Sequence, residues 1–382
     1  MRILTAMYTM RRGGAYDRFR MMLEALLERG CQVHCLSLTP ISMLHKNYKN
    51  HLILNSLGKK GFAKGIVLFV FPLYALWIGH KEKIDRFVAF GTLYGFIESL
   101  AKWILRKPMV TFVRGSFAFG MRTQGGSGFV LWLNRCIEKI GIYFSDAIVS
   151  VNSNIQEEMR RMAGGRKGVT WKILPNNIPP MSIPEGQDKS EVREEYGVSE
   201  GEKILVTAGV IARGKNLELL IRSLPEVGLD KLFLLIVGDG LTEADWKYQM
   251  ELRNLVDALH LSNRIVFTGW LGKERLWKIF HGVDAFILPS KSEGMPNVML
   301  EALGCDLLCM GSNVPGVEQI LIYDELLFDP LDEKGLANKL GRVFSDNQLF
   351  SQMRRLCQER KTAFVFDWKE KAFEEIMNAA HF

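Results

Sequence analysis

SKSEGMPNVMLEAL, residues 290–303, is the stretch whose reading decides the fold. It follows a short apolar run, Ala285 to Leu288, that reads as a buried strand, and it enters an apolar segment that reads as a helix starting near Pro296. Proline suits the first helical position, because the N–H it lacks would be unpaired there. The unpaired N–H groups of such a start, at the positive end of the helix dipole, form a seat for phosphate. Gly294 lets the backbone approach a ligand with no side chain in between. Glu293 lies in the loop and Glu301 on the second helical turn. A carboxylate on each side of an anion seat accepts hydrogen bonds from neutral hydroxyls, the groups that a sugar nucleotide presents. Glutamates at this spacing are common and mostly solvated. The strand, the Ser-x-x-Glu-Gly-x-Pro turn and the helix around them make this pair specific.

Outward from this stretch, the second half keeps one rhythm, with strands expected near 203–208, 232–237, 264–268, 284–288 and 307–310 and helical segments between them. VTAGVIARGKNLELLI (206–221) reads as strand, glycine turn at Gly209, and helix. Arg213 and Lys215 stand at that helix start, where two cations either offset a diphosphate or cap the surface. VFTGWL (266–271) leaves Trp270 in a loop, to stack on a base or simply to pack, and VPGVEQIL (314–321) begins a further helix carrying Glu318. The first half opens with RILTAM (2–7), a turn containing Gly13 and Gly14, and a helix to about Arg29. This is a nucleotide-type βα unit without the Gly-x-Gly-x-x-Gly of a dinucleotide site. Further strands are expected at 31–38, 85–90, 108–113 and 146–152, helices at about 93–106 and 128–143, and a helix cap at Ser153 or Asn154. Residues 46–64, polar and basic, read as a loop ahead of the apolar run 66–78. Residues 1–178 then form one domain, 179–190 with three prolines a linker, and 190–364 a second domain.

In this setting the chain resembles the retaining glycosyltransferases of family 4, whose signature is a Glu, seven residues and a second Glu between strand and helix. The resemblance covers nearly the whole chain and implies an α/β fold of two Rossmann-like domains facing across a cleft, the GT-B architecture. It also implies that the last helix, within 365–382, crosses back to the first domain. The implied reaction moves a sugar from a nucleoside-diphosphate sugar, UDP-linked by preference, to a hydroxyl with retention of configuration. By the same resemblance Glu293 holds donor sugar hydroxyls and Glu301 the ribose. Met295, Pro296 and Asn297 bring backbone groups to the sugar and diphosphate, Gly13 and Gly14 approach the donor phosphates, and Trp270 lines the base pocket. Lys215 matches the family lysine. Val210 stands where many members have Arg, with Arg213 as its proposed substitute, and Arg114-Gly115 stands where members often carry His-Gly, on the acceptor side. The glycine-rich 115–128 reads as a loop over the active site. No side chain stands out as a general base, and the departing phosphate oxygen is the group expected to take the acceptor proton.

Composition narrows the alternatives. A chain of 382 residues, 48% hydrophobic and 24% charged, is a globular protein too long for one ordinary core. No apolar stretch reaches the ~18 residues needed to span a bilayer, and no secretory pattern opens the chain. The six cysteines show no zinc spacing and read as reduced, buried thiols of a cytosolic protein. Asp-x-Asp is absent, so no metal and no separate cofactor are expected, the diphosphate charge falling to Lys215, Arg213 and the helix start. The net charge of +7 is split unevenly. Residues 1–180 hold 26 basic and 10 acidic side chains, residues 181–382 hold 23 and 32, a balance of +16 against −9. The first half therefore suits an anionic partner or is a solvated basic face. Without a nucleic-acid motif, anionic lipid is the better partner, with a glycan or lipid-linked acceptor of envelope polysaccharide synthesis at the inner face of the cell membrane. Two rival classes stand beside the transferase: a nicotinamide-dependent dehydrogenase, which lacks its glycine fingerprint, and a catalytically inactive sugar-nucleotide-binding subunit. A transferase acting on a soluble small molecule is the third alternative.

Overall fold

Runs of four to six consecutive buried apolar residues, such as LFLLIV (232–237) and AFIL (285–288), cannot face water on either side. They call for parallel sheets covered by helices on both faces. The computed structural model has two such sheets and describes residues 1–8, 14–53, 63–115, 128–181, 189–199, 201–228 and 232–379. The chain divides into one unit of Met1–Pro175 with Asp367–Phe382 and another of Asn176–Phe366.

The first unit holds β1 (Arg2–Ala6), α1 (Gly14–Glu28), β2 (Gln32–Ser37), β3 (Tyr48–Leu52), α2 (Ala63–Lys81), β4 (Arg86–Phe90), α3 (Thr92–Leu105), β5 (Met109–Val113), α4 (Gly128–Phe144), β6 (Ala147–Ser150), α5 (Ser153–Met162) and β7 (Thr170–Ile173). Its seven parallel strands lie in the order β3-β2-β1-β4-β5-β6-β7. One part of its core joins Leu4, Leu36 and Phe87 of the sheet to Phe71, Ala75 and Ile78 of α2.

The second unit holds α6 (Lys189–Glu195), β8 (Lys203–Ala208), a 3-10 turn (Arg213–Lys215), α7 (Leu217–Ser223), β9 (Leu232–Val237), α8 (Glu243–Ala258), β10 (Ile265–Gly269), α9 (Lys273–Gly282), β11 (Ala285–Leu288), α10 (Asn297–Gly304), β12 (Leu308–Ser312), α11 (Pro315–Leu321), β13 (Leu327–Phe328), α12 (Glu333–Ser345) and α13 (Asn347–Thr362). Its strand order is β10-β9-β8-β11-β12-β13. The last helix, α14 (Trp368–Asn378), returns to the first unit, as expected. There Trp368 is buried, Lys369 pairs with Glu24 and Glu28 of α1 at 2.9 and 2.7 Å, and the Arg86 guanidinium donates to the Ile376 carbonyl.

Three local readings are corrected and one short strand is added. Residues 46–64 are not all loop, because YKNHL forms β3, which pairs with β2 from Val33↔Tyr48 to Ser37↔Leu52. It is a polar strand at the sheet edge, with no apolar alternation to announce it. The short β13 was also unforeseen. The cap of α5 is Asn152, whose Oδ1 accepts from the Ile155 N–H at 2.8 Å, with Ser153 one position inside the helix. Pro296 is the N-cap of α10 rather than its first helical residue. Five of the six cysteines are buried thiols, Cys136 being half-buried, and Cys35 is pushed up to about 12 by burial. No helix among the described residues is long and apolar enough to cross a membrane.

Candidate active site

From β8 the chain of the second unit runs to β9 and β10 on one side, then returns to place β11 on the other side of β8. The order reverses between β8 and β11, and in an open parallel sheet a ligand crevice forms outside the carboxyl ends of the strands at such a switch point. The turn 209–216 leaves β8 there, and the loop 289–296 leaves β11 beside it.

Those two segments bring together side chains 78 positions apart: Lys215 Nζ lies 2.5 Å from Glu293 Oε1. The fully buried Ser290 donates its hydroxyl to the same oxygen at 2.6 Å. The segments are also tied by backbone, the Lys291 N–H donating to the Gly214 carbonyl at 2.9 Å, and by Lys291 Nζ and Glu218 Oε1 at 3.1 Å. A lysine held by a carboxylate has its ammonium group fixed in place and direction. A diphosphate arriving beside it gains a cation whose direction is already set.

The turn depends on two glycines. Gly209 sits at φ 143°, a conformation open to glycine, and its carbonyl lies where a Cβ on Gly238 would be. With that close approach, Gly209, Val210, Ile211, Lys215, Leu217 and Leu288 help to line a pocket that encloses about 230 Å³, its open mouth included. Val210, which the resemblance set in the place of an Arg, is thus part of the pocket wall.

Beyond Glu293 the loop is fastened from both sides. Asn176 Nδ2 donates to the Met295 carbonyl at 2.9 Å, and Met295 itself is buried. Gly316 of α11 has no room for a Cβ, because the carbonyls of Glu293 and Gly294 fill that space. Pro296 then caps α10, so the first N–H groups of Asn297 and the residues after it open the helix next to the loop. Glu301 is buried on the second turn of α10, 3.9 Å from Lys273 Nζ at the start of α9. Lys273, Ser290, Asn176 and Gly316 were not singled out from the sequence. Only Ser290 left a signal there, as the first residue of Ser-x-x-Glu.

The remaining expected residues are less closely gathered. Arg213 turns outward to Glu251 of α8, at 2.8 and 2.6 Å, and lies 5.1 Å above the Tyr248 ring. The structure does not bring it to Glu293. Trp270 is half-buried just past β10, where the Gly238 N–H donates to the Gly269 carbonyl at 2.9 Å. Glu318 is half-buried on the first turn of α11.

In the first unit the switch point falls between β1 and β4. Gly14 opens α1 there, whereas Gly13 and the adjacent Arg11-Arg12 lie outside the described residues, as do 116–127 of the glycine-rich stretch. Tyr8, past β1, is bound through its N–H to the Tyr94 hydroxyl of α3 at 3.2 Å. Arg114 donates to the Leu174 carbonyl at 2.9 Å and stacks 5.7 Å from the Trp368 ring, which Arg18 also approaches. Burial and the Arg18 charge hold its pKa well below the usual guanidinium range. Its contacts link β5 to the return helix.

Among the described residues one cluster has metal-ligand chemistry, His34, His51 and Glu82 in the first unit. His34 Nδ1 and His51 Nε2 are 2.9 Å apart, with ring planes inclined by 15° and centroids 5.2 Å apart. Nearly coplanar rings at that separation aim the two nitrogens at each other. This is a hydrogen bond between neutral imidazoles, whereas metal ligands converge on a third point. Glu82 is engaged by Lys49 at 2.8 Å.

Comparisons with known proteins bear on the fold and the class of protein. Residues 188–362 match the family model described as glycosyl transferases group 1. The chain is 23% identical over 349 residues to N-acetyl-alpha-D-glucosaminyl L-malate synthase of Bacillus anthracis, covering 88% of this chain and 86% of that one. It is 26% identical over 293 residues to the UDP-Gal:alpha-D-GlcNAc-diphosphoundecaprenol alpha-1,3-galactosyltransferase of Escherichia coli, covering 73% and 71%. Among solved structures it resembles Anabaena HepE in complex with UDP-glucose, with a TM-score of 0.78 at 17% identity over 99% of this chain and 100% of the other. Together these matches support a glycosyltransferase of the GT-B fold.

Proposed function

We propose that the protein is a retaining, metal-independent hexosyltransferase that takes a sugar from a UDP-sugar and places it on a hydroxyl of a glycan or lipid-linked acceptor in envelope polysaccharide synthesis. The observation that carries this reading is the Lys215–Glu293 pair at the switch point, next to the start of α10. Glu293 is the acceptor for donor sugar hydroxyls, Glu301 for those of the ribose, and Lys215 with the first N–H groups of α10 offsets the diphosphate. Trp270 closes on the base. In the reaction the bond from the anomeric carbon to the β-phosphate oxygen breaks, and a bond from that carbon to the acceptor oxygen forms on the same face. The acceptor proton passes to the departing phosphate oxygen. No carboxylate pair of the Asp-x-Asp kind is present for a divalent ion, and fixed cations serve in its place.

The choice of UDP is supported by relatives and neighbours whose names include UDP-Gal and UDP-glucose. A membrane-borne acceptor is supported by the +16 balance of residues 1–180 and by the diphosphoundecaprenol-linked substrate named for the Escherichia coli relative. The basic half then binds the inner leaflet peripherally. Calorimetry with UDP, GDP and ADP, followed by transfer from the matching radiolabelled sugar in EDTA, tests the reading. UDP binding and EDTA-resistant transfer with retained configuration are expected. A requirement for Mg or Mn contradicts the metal-free reading, and UDP binding without turnover points to an inactive binding subunit.

A further inference from the structure

α3 and α4 connect neighbouring strands, and α2 passes from β3 over β2 and β1 to β4 in the same sense, so right-handed crossovers put all three on one face of the first sheet. α3 lies between the other two and packs against both. The outward side of this layer is apolar. On α2, Phe69, Leu73 and Trp77 follow one another at four-residue spacing, and Phe69 is 78% exposed. On α4, Ile137, Gly141 and Ile142 are buried inward while Phe129, Trp132 and Tyr143 face out, Phe129 at 70% and Trp132 at 60% exposure. Trp103 at the end of α3 is 66% exposed. A helix that is apolar all round requires cover on both sides, and α2 has it on one, through Phe71, Ala75 and Ile78.

Charge identifies the cover. α2 contains no Asp or Glu, and the carboxylates of α3 and α4, Glu98 and Glu138, are fully buried. The exposed charge on the three helices is positive: Lys81, Arg135 and Lys139, with Arg106 and Lys107 just past α3. α1 and α14, which pack together elsewhere in the unit, carry exposed Glu28, Glu370 and Glu374. The outward sides of α2, α3 and α4 are thus without carboxylates; Glu82, just past α2, is paired with Lys49, and Glu157 belongs to the next helix, α5. A protein partner with both signs of charge would not demand this. An anionic leaflet does, since it repels carboxylates, draws Lys and Arg to its headgroups and takes Trp and Tyr at the interface. Lys81 Nζ already lies over the Trp77 ring, 4.7 Å from its centre, so cation and aromatic ring share this face.

We propose that the outer face of α2, α3 and α4 docks on an anionic lipid bilayer, its aromatic side chains at the level of the headgroups. The inference rests on the reading of a membrane-borne acceptor and names the surface that meets the membrane. Three of the eight tryptophans, Trp77, Trp103 and Trp132, lie on this face, so the intrinsic fluorescence reports contact directly. The experiment uses the full chain with phosphatidylglycerol–phosphatidylethanolamine vesicles, part of the acyl chains brominated. Wild type sediments with the vesicles and its emission is quenched. The variant Phe69→Ser/Trp77→Ser/Trp132→Ser loses about a hundredfold in partitioning, while its thermal midpoint and its calorimetric response to UDP stay unchanged. Equal vesicle binding by wild type and variant overturns the surface and leaves the membrane-borne acceptor standing. No binding by wild type removes both. A lipid-free dimer that the variant abolishes means that a second copy covers the face, and overturns the proposal too. Should the triple variant fail to fold, wild-type emission unquenched by brominated lipid is decisive against it.

Discussion

At the scale of single residues, the argument turns on one carboxylate oxygen with two partners. Glu293 Oε1 receives both Lys215 Nζ and the Ser290 hydroxyl. Glu293→Gln keeps the shape and removes the charge, so turnover is expected to fall ten- to a hundredfold, roughly the 1.5–3 kcal/mol of a charged hydrogen bond. The lysine stays within reach of water, so the thermal midpoint is expected to move little; near wild-type turnover would refute the assignment. Lys215→Ala is expected to weaken UDP binding in calorimetry and Arg213→Ala to do so much less, because Arg213 is held by Glu251. A second residue-scale effect belongs to pH. Burial, with His34 beside it, lowers the His51 pKa to about 4, against roughly 6.5 in an unfolded chain. Between those values the unfolded state takes up a proton that the folded state refuses. The contribution is therefore complete above about pH 6.5 and is lost as pH falls towards 4. Urea midpoints at pH 7 and pH 5 should differ more for wild type than for His51→Gln; equal differences would show that the pair is not titrating in this way.

Elements set the accuracy with which these residues are held. The loop 289–296 is only as well placed as α11 and Asn176 make it, since both press on its backbone. Gly316→Ala puts a methyl group where the Glu293 and Gly294 carbonyls stand. We expect a loss of about 1–3 kcal/mol from overpacking and a raised KM for the donor as the loop gives way. An unchanged midpoint together with an unchanged KM would mean that the loop takes up the methyl without moving.

On the scale of the whole molecule, the return of α14 to the first unit makes the last residues part of the first core. Trp368 is buried beside Phe112, with Arg18 and Arg114 near its ring. Trp368→Ala is expected to cost about 3–5 kcal/mol, read as a lowered denaturation midpoint of the full chain. A midpoint within error of wild type would show that the helix adds little to the stability of that unit. The same scale carries the charge division, +16 in residues 1–180 and −9 in the rest, so the excess of carboxylates falls in the half of the sequence that carries Lys215 and Glu293.

The strands were legible because a buried parallel strand is a continuous apolar run, a property of four to six neighbouring residues: 203–208 and 232–237 coincide with β8 and β9. The turn at Glu293 and the start of α10 were legible because a strand, a Glu-Gly-x-Pro turn and an apolar helix follow one another along the chain. β3 was not, because an edge strand holds its place through backbone pairing with β2 and needs no apolar pattern of its own. Nor could local pattern place Lys215 on Glu293, Lys273 on Glu301 or His34 on His51. Such partners meet only once β8 lies beside β11 and β2 beside β3, and strand order is decided by non-local packing. Tertiary structure likewise turned Arg213 to Glu251 and Arg114 to Leu174 and Trp368. A long cation takes whichever acceptor the fold brings near, and its neighbours in the chain do not name it. The sequence by itself therefore determined the two sheets and the carboxylate turn, while the fold alone decided which cation that carboxylate would hold.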